Sequence, residues 1–250
     1  MAISKLLTIT LLCAVLIVIV YVRHKPKIIH TSAPLQTCLQ SYDPHTLRQR
    51  LFHSSMVQTA GAVAIGYWVG NKTGFELGGP SSYTWGPMGV YEAASRIDVT
   101  NFAAQTLWES GLKDNSDFTW KNRVLGKQYV RDAVDLKGIP SDFYDFVLGS
   151  HVLEHIANPF KALLEWIRRL KPRGVLVLIV PWKTATFDHE RDVARLAHLI
   201  DVYRKQTTEA DLSHLDEIVR MHDLSRDPPA GNIEQFKLRS SKNFENRGLH

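Results

Sequence analysis

The sequence predicts an α/β fold: a mostly parallel sheet with flanking helices. Three observations carry that reading. Asp145 to Pro181 forms a strand–turn–helix–turn–strand block. A glycine-rich turn lies upstream in Phe75-Glu-Leu-Gly-Gly-Pro-Ser-Ser82. The chemistry-bearing motifs fall at the carboxyl ends of the expected strands, where open parallel sheets bind ligands.

Taken in chain order, Leu6 to Val22 is apolar apart from Thr8 and Thr10 and holds no charge. As a helix it would span ~25 Å, enough for a thin bilayer. Arg23, His24, Lys25 and Lys27 follow without a small-residue cleavage site, which favours an uncleaved single-span anchor over a signal peptide. Residues 1–23 are therefore expected as a transmembrane helix, 24–55 as a polar stalk, 56–205 as the enzyme-like domain and 206–250 as a helical and polar extension. The anchor predicts a single-pass membrane protein, with the endoplasmic reticulum or Golgi favoured. Lys5 on one side and Arg23, Lys25 and Lys27 on the other leave its orientation open.

Strands are expected at Gly74–Gly78, at Ala93–Val99 ending near Asp98, at Gln128–Arg131, at Asp145–Gly149 and at Val175–Val180. The last two are short and rich in β-branched residues, as in strands buried on both faces. Between them Phe160, Leu163, Leu164, Ile167 and Leu170 recur at helical spacing. Asn158 can cap that helix, Pro159 suits its first position, and Lys171-Pro172 ends it. Beyond Pro181, one helix is expected with Val193, Leu196, Ala197, Ile200 and Tyr203 as its apolar stripe. A second should open on the capping box Thr208-Glu-Ala-Asp211 and turn Leu212, Leu215 and Val219 inward. From Asp227-Pro-Pro-Ala-Gly231 onward the chain reads as polar.

The blocks at Phe75–Ser82 and Asp145–Pro181 resemble the class I (Rossmann-like) S-adenosylmethionine-dependent methyltransferases, over roughly Gly74 to Val202. Ser150-His-Val-Leu-Glu-His155 and Leu170-Lys-Pro-Arg-Gly174 match family segments, although Arg173 replaces a usual glycine. The turn carries Gly78-Gly79-Pro80 where the family usually has Gly-x-Gly. The resemblance implies S-adenosylmethionine as cofactor. Glu76, Gly78, Gly79 and Pro80 would line its methionine portion, Asp98 would face the ribose, Asp132 and Ala133 would meet the adenine, and Ser150 and His151 would close the cleft. It also implies two further strands after the fifth. No apolar run beyond Pro181 could supply them, so the sheet is expected to lack its last two strands and the chain to be a shortened form of a longer enzyme. The strand at Val175–Val180 would then keep an open edge.

Candidate bases are His155 and His189. Each has a simpler reading. His155 can pack and donate one hydrogen bond, and Asp188-His189-Glu190 can be a helix start with Asp188 as cap. His151, Glu154 and His155 spell His-x-x-Glu-His, a zinc-protease pattern, but Asn158-Pro159 interrupts the long helix that pattern needs, so no metal is expected. A nicotinamide dehydrogenase would need Gly-x-Gly-x-x-Gly opening a long helix, and Pro80, Gly86, Pro87 and Gly89 forbid one. The net charge of +5 is mild and scattered, so nucleic acid is not an expected partner. The expected function is methyl transfer to an unidentified acceptor. A lumenal domain would favour a glycan, and a cytosolic one a lipid-like small molecule or a protein. The rival is a non-catalytic module that binds the cofactor without turnover.

Overall fold

The computed structural model describes residues 15–22, 68–106 and 109–246. Its centre is a seven-stranded sheet: β1 (Val15–Val22), β2 (Thr73–Leu77), β3 (Arg96–Asn101), β4 (Ser116–Trp120), β5 (Arg123–Val130), β6 (Tyr144–Ser150) and β7 (Leu170–Pro181), ordered β1-β7-β6-β2-β3-β5-β4. The four inner pairings are parallel and the two outermost are antiparallel.

Both faces of the sheet are covered, as its continuous apolar strands require. On one face Ile97, Val99, Phe146, Leu148, Val175 and Val177 pack with Val90 and Tyr91 of the short helix α2 (Val90–Ala93). On the other, Phe75, Leu77, Val147, Leu176 and Leu178 pack with Ala162 and Trp166 of α3 (Pro159–Arg169). Helix α3 starts as its sequence dictates: the Asn158 side chain accepts from the Lys161 amide at 3.1 Å, and Pro159 takes the first turn. Between Gly78 and α2 the chain makes only α1 (Ser82–Trp85), because Gly86 and Pro87 follow at once.

Two strands differ from expectation. Val15–Val22, read as part of a membrane helix, is an edge strand: Val18 pairs with Ile179 and Val22 with Val175. An uncharged apolar run does not by periodicity alone distinguish a helix from a buried strand, and Val-Leu-Ile-Val-Ile-Val-Tyr-Val is rich in strand-favouring residues. Among the described residues no helix is long and apolar enough to cross a membrane. The remainder of the expected span, 6–14, and the expected stalk lie outside the described residues. The second unforeseen strand is β4, joined to β5 by Lys121 and Asn122, both in the left-handed region. Two successive positive φ values make the hairpin turn that suits twisted antiparallel strands. The sheet therefore has two strands beyond the five expected, neither of them after β7. No strand follows β7 among the described residues, but its edge is closed from the amino-terminal side, which removes the open-edge argument for a shortened chain.

The carboxyl-terminal region also differs. Helix α4 is Leu196–Arg204, and its buried residue is Val202, while Val193, Leu196 and Tyr203 face solvent. Helix α5 begins at Leu215 rather than near Thr208, because Thr208 and Asp211 turn their oxygens to the amides of Ala210 and Ser213. Such local bonds compete with helix. The polar stretch at the end of the expected helical and polar extension forms helix α6 (Ile233–Asn246).

Candidate active site

The chain runs from β2 to β3 and β5 on one side, then returns to place β6 and β7 on the other. Connections leaving β2 and β6 therefore diverge, which opens a crevice at their carboxyl ends. The strand registers set the level of that edge: Leu77 lies beside Thr100 and Gly149, and Asn101 beside Val130. Gly78, Asn101, Asp132 and Ser150 thus occupy one rim, spread over three strand spacings or about 14 Å.

The glycine turn forms the floor. Gly78 has φ +68°, and its amide donates to Thr100 O at 2.8 Å. A Cβ there would lie 2.7 Å from Val152 Cγ2, and one on Gly79 would lie 2.7 Å from Glu76 Oε2. Pro80 follows a cis peptide, and Ser81 caps α1. Ser81 Oγ donates to Ser150 Oγ at 2.9 Å, clasping the turn to the end of β6.

Glu76 lies beneath the turn, fully buried, instead of lining it. Thr84 Oγ1 donates to its Oε1 at 2.7 Å, and the Tyr91 hydroxyl donates to Oε2. Burial pushes its pKa up to about 7, against the opposing pull of the Tyr91, Thr84 and Ser81 donors. The carboxyl group thus ties the turn to α1 and α2.

Asp98 lies below the rim, beside Phe75, because β3 continues for three residues past it to Asn101. Its buried carboxylate receives Arg96 Nε at 2.9 Å, the Lys127 amide at 2.8 Å and the Tyr144 hydroxyl at 2.8 Å. At the level expected of Asp98 stands buried Asn101, whose Nδ2 donates to Gly79 O at 2.9 Å. Sequence reasoning missed it by ending the strand early. The signal was available in Val99 and Thr100, which prolong the β-branched pattern.

Asp132 and Ala133 follow β5. Asp132 Oδ1 accepts from the Val134 amide at 3.0 Å, and Ala133 O accepts from Trp166 Nε1 at 2.9 Å. A hollow of about 500 Å³ opens here, lined by Phe102, Arg131, Asp132, Asp135 and Lys137 among others.

At the other end of the rim His151 has φ +54° and stacks on Tyr83, with ring centroids 5.2 Å apart. Its Nδ1 lies 3.4 Å from Glu154 Oε1, and its Nε2 is buried without a hydrogen-bond partner. Tyr83 was not foreseen; an aromatic residue four positions beyond a glycine turn carries no motif of its own. His155 sits in the 3-10 turn Leu153–His155 and keeps an open edge to solvent. Desolvation by the surrounding protein lowers its pKa, an effect that the open edge weakens. His189 turns Nδ1 to Thr186 O at 3.2 Å and to Asp223 Oδ2 at 3.8 Å, joining the loop after β7 to the segment after α5. Asp188, a candidate to orient His189, instead faces Arg191 at 3.4 Å and His222 at 3.7 Å. Among the described residues no group of three or more histidine, cysteine or acidic side chains is arranged to hold a metal.

Residues 81–222 match the family described as a methyltransferase domain. The chain belongs to that methyltransferase family. No curated protein matches it. Among solved structures it is similar to a protein named as a sarcosine dimethylglycine methyltransferase from Galdieria sulphuraria, at 14% identity and a TM-score of 0.39, covering 78% of this chain and 82% of that one. It is also similar to the trans-methyltransferase CalH in complex with SAH, at 15% identity and TM-score 0.34, covering 51% and 40% of the two chains. The [4+2]-cyclase SpnF is a third, at 14% identity and TM-score 0.37, covering 75% and 77%.

Proposed function

We propose that the chain binds S-adenosylmethionine along the strand rim and transfers its methyl group to a nucleophile presented beside β6. The observation that carries this reading is the convergence of the Gly78–Gly79 turn, Asn101, Asp132–Ala133 and Ser150–His151 on one edge of four parallel strands. The residues fit the cofactor. A Cβ on Gly78 or Gly79 would meet Val152 or Glu76, so glycine lets the turn pass along the rim with its backbone bare. The hollow at Phe102 and Asp132 suits the base, and the buried, unpartnered Nε2 of His151 is left for the acceptor beside it.

When bound, the sulfonium supplies an activated methyl group for in-line displacement, so the protein chiefly aligns and dries the site. Gly78 and Gly79 set how near the backbone comes. Asn101 holds the Gly79 carbonyl and thereby the path of the turn. His151, with Glu154 beside Nδ1 and Tyr83 against its face, would hold Nε2 toward the acceptor and take up its proton. His155 is the alternative proton carrier at the same corner. The acceptor is proposed as a small molecule or glycan with a hydroxyl or amine.

Calorimetry on the full chain with S-adenosylmethionine and its demethylated product tests binding, and radiolabelled transfer into fractionated extracts tests turnover. Failure to bind either compound sinks the proposal. Binding without transfer favours a non-catalytic module. His151→Asn should leave donor affinity within about threefold while lowering transfer by about a hundredfold or more.

A further inference from the structure

We propose that His198 and His214 form a binding site for a zinc-type divalent cation on the outer side of the carboxyl-terminal helices, independent of methyl transfer. His198 lies in the first turn of α4, and His214 occupies the amino-terminal cap of α5 without capping it through its side chain. Their Nε2 atoms face each other at 3.2 Å, with ring planes at 84° and centroids 5.0 Å apart. Two imidazole nitrogens bound to one tetrahedral zinc ion at ~2.0–2.1 Å are separated by about 3.3–3.4 Å. The pair therefore stands near ligand spacing before any ion enters, and both rings are exposed enough to admit one.

A second observation points the same way. Glu217 Oε2 lies 3.4 Å from Nδ1 of His214. A carboxylate on the remote nitrogen favours the proton there and leaves the Nε2 lone pair free for a metal, the usual outer support of a ligating histidine. Arg191 Nε holds the other Glu217 oxygen at 3.1 Å, which fixes the carboxylate beside His214. The competing reading is a plain hydrogen bond in which His198 Nε2–H donates to His214. It occupies the same lone pair with a proton, so metal and proton compete for one position. With two protein ligands, water would fill the remaining positions. The ion would tie α4 to α5 across the connection between them, and would stabilise the fold in proportion to its concentration.

The test uses the full chain, stripped with a chelator and titrated with zinc alone by calorimetry; cobalt(II) absorption serves as a second readout of tetrahedral nitrogen ligation. One zinc equivalent should disappear in both His198→Ala and His214→Ala, and Glu217→Gln should weaken it by about tenfold. His198→Gln and His214→Gln repeat the comparison should an alanine variant fold poorly. Zinc-dependent dimers lost in both variants would also support the pair, with a second copy replacing water. Equal zinc stoichiometry and affinity in wild type and all variants, or no zinc binding by the wild type, overturns the proposal.

Discussion

The hydroxyl of Tyr91 donates to the carboxyl group of Glu76, and through that contact helix α2 holds the floor of the glycine turn. Glu76 is fully buried, and burial raises its pKa to about 7. The folded protein holds this proton more tightly than the unfolded chain does. The resulting stabilisation is complete below pH ~4.5 and fades as the pH rises to about 7, by on the order of 3 kcal/mol. Denaturant titrations at pH 5 and pH 8 should show that decline, and Glu76→Gln should flatten it. An unchanged pH slope in the variant would show that another group is responsible.

Asp98 and Asn101 separate structure from ligand contact. Asp98→Ala should cost about 2–4 kcal/mol, because it leaves the buried Tyr144 hydroxyl and the Lys127 amide without their acceptor. Arg96 is partly exposed and can rehydrate, so it adds little. Donor affinity of the folded fraction should change less than in Asn101→Ala, which frees the Gly79 carbonyl and loosens the turn. Calorimetry at a temperature where both variants are folded decides between them. The reverse order of affinities would return Asp98 to the ligand.

Gly78→Ala combines two costs. The left-handed backbone disfavours a Cβ by about 1–2 kcal/mol, and that Cβ would press on Val152. Val152→Ala in the same chain should relieve the second cost only. The melting temperature of the double variant should therefore fall below that of Val152→Ala alone, and donor binding should be impaired in both Gly78 variants. Full recovery in the double variant would show that the backbone angle is unimportant.

Removal of residues 1–22 should expose the edge of β7 and promote self-association, read by light scattering. Within it, the uncharged apolar segment Leu6 to Val22 carries the expectation of a membrane anchor. Fractionation of the full and shortened chains between membranes and supernatant distinguishes the roles: loss of membrane association with a monodisperse shortened domain would assign the run to the bilayer and not to the sheet.

Much of the parallel sheet was legible because its strands are compact apolar runs bounded by turn residues. Asn158-Pro159 and Lys171-Pro172 marked the ends of α3 chemically, and the structure uses Asn158 as its cap. Edge strands were not legible. Ser116–Trp120 alternates weakly, and its pairing depends on the left-handed Lys121-Asn122 turn. Val15–Val22 satisfies the composition of a membrane span and of a buried strand alike. Helix α5 starts later than expected because short side-chain bonds at Thr208 and Asp211 overrode a capping pattern.

By itself the sequence determined the family, the order of the inner parallel strands and the helix between β6 and β7, since these follow from local pattern and from the right-handed connectivity of parallel strands. Only the tertiary structure decided how each polar group is used. Glu76 became a buried support, Asp98 an internal ion pair and Asn101 the rim residue, because one or two residues of strand length change both the height and the face at which a side chain emerges.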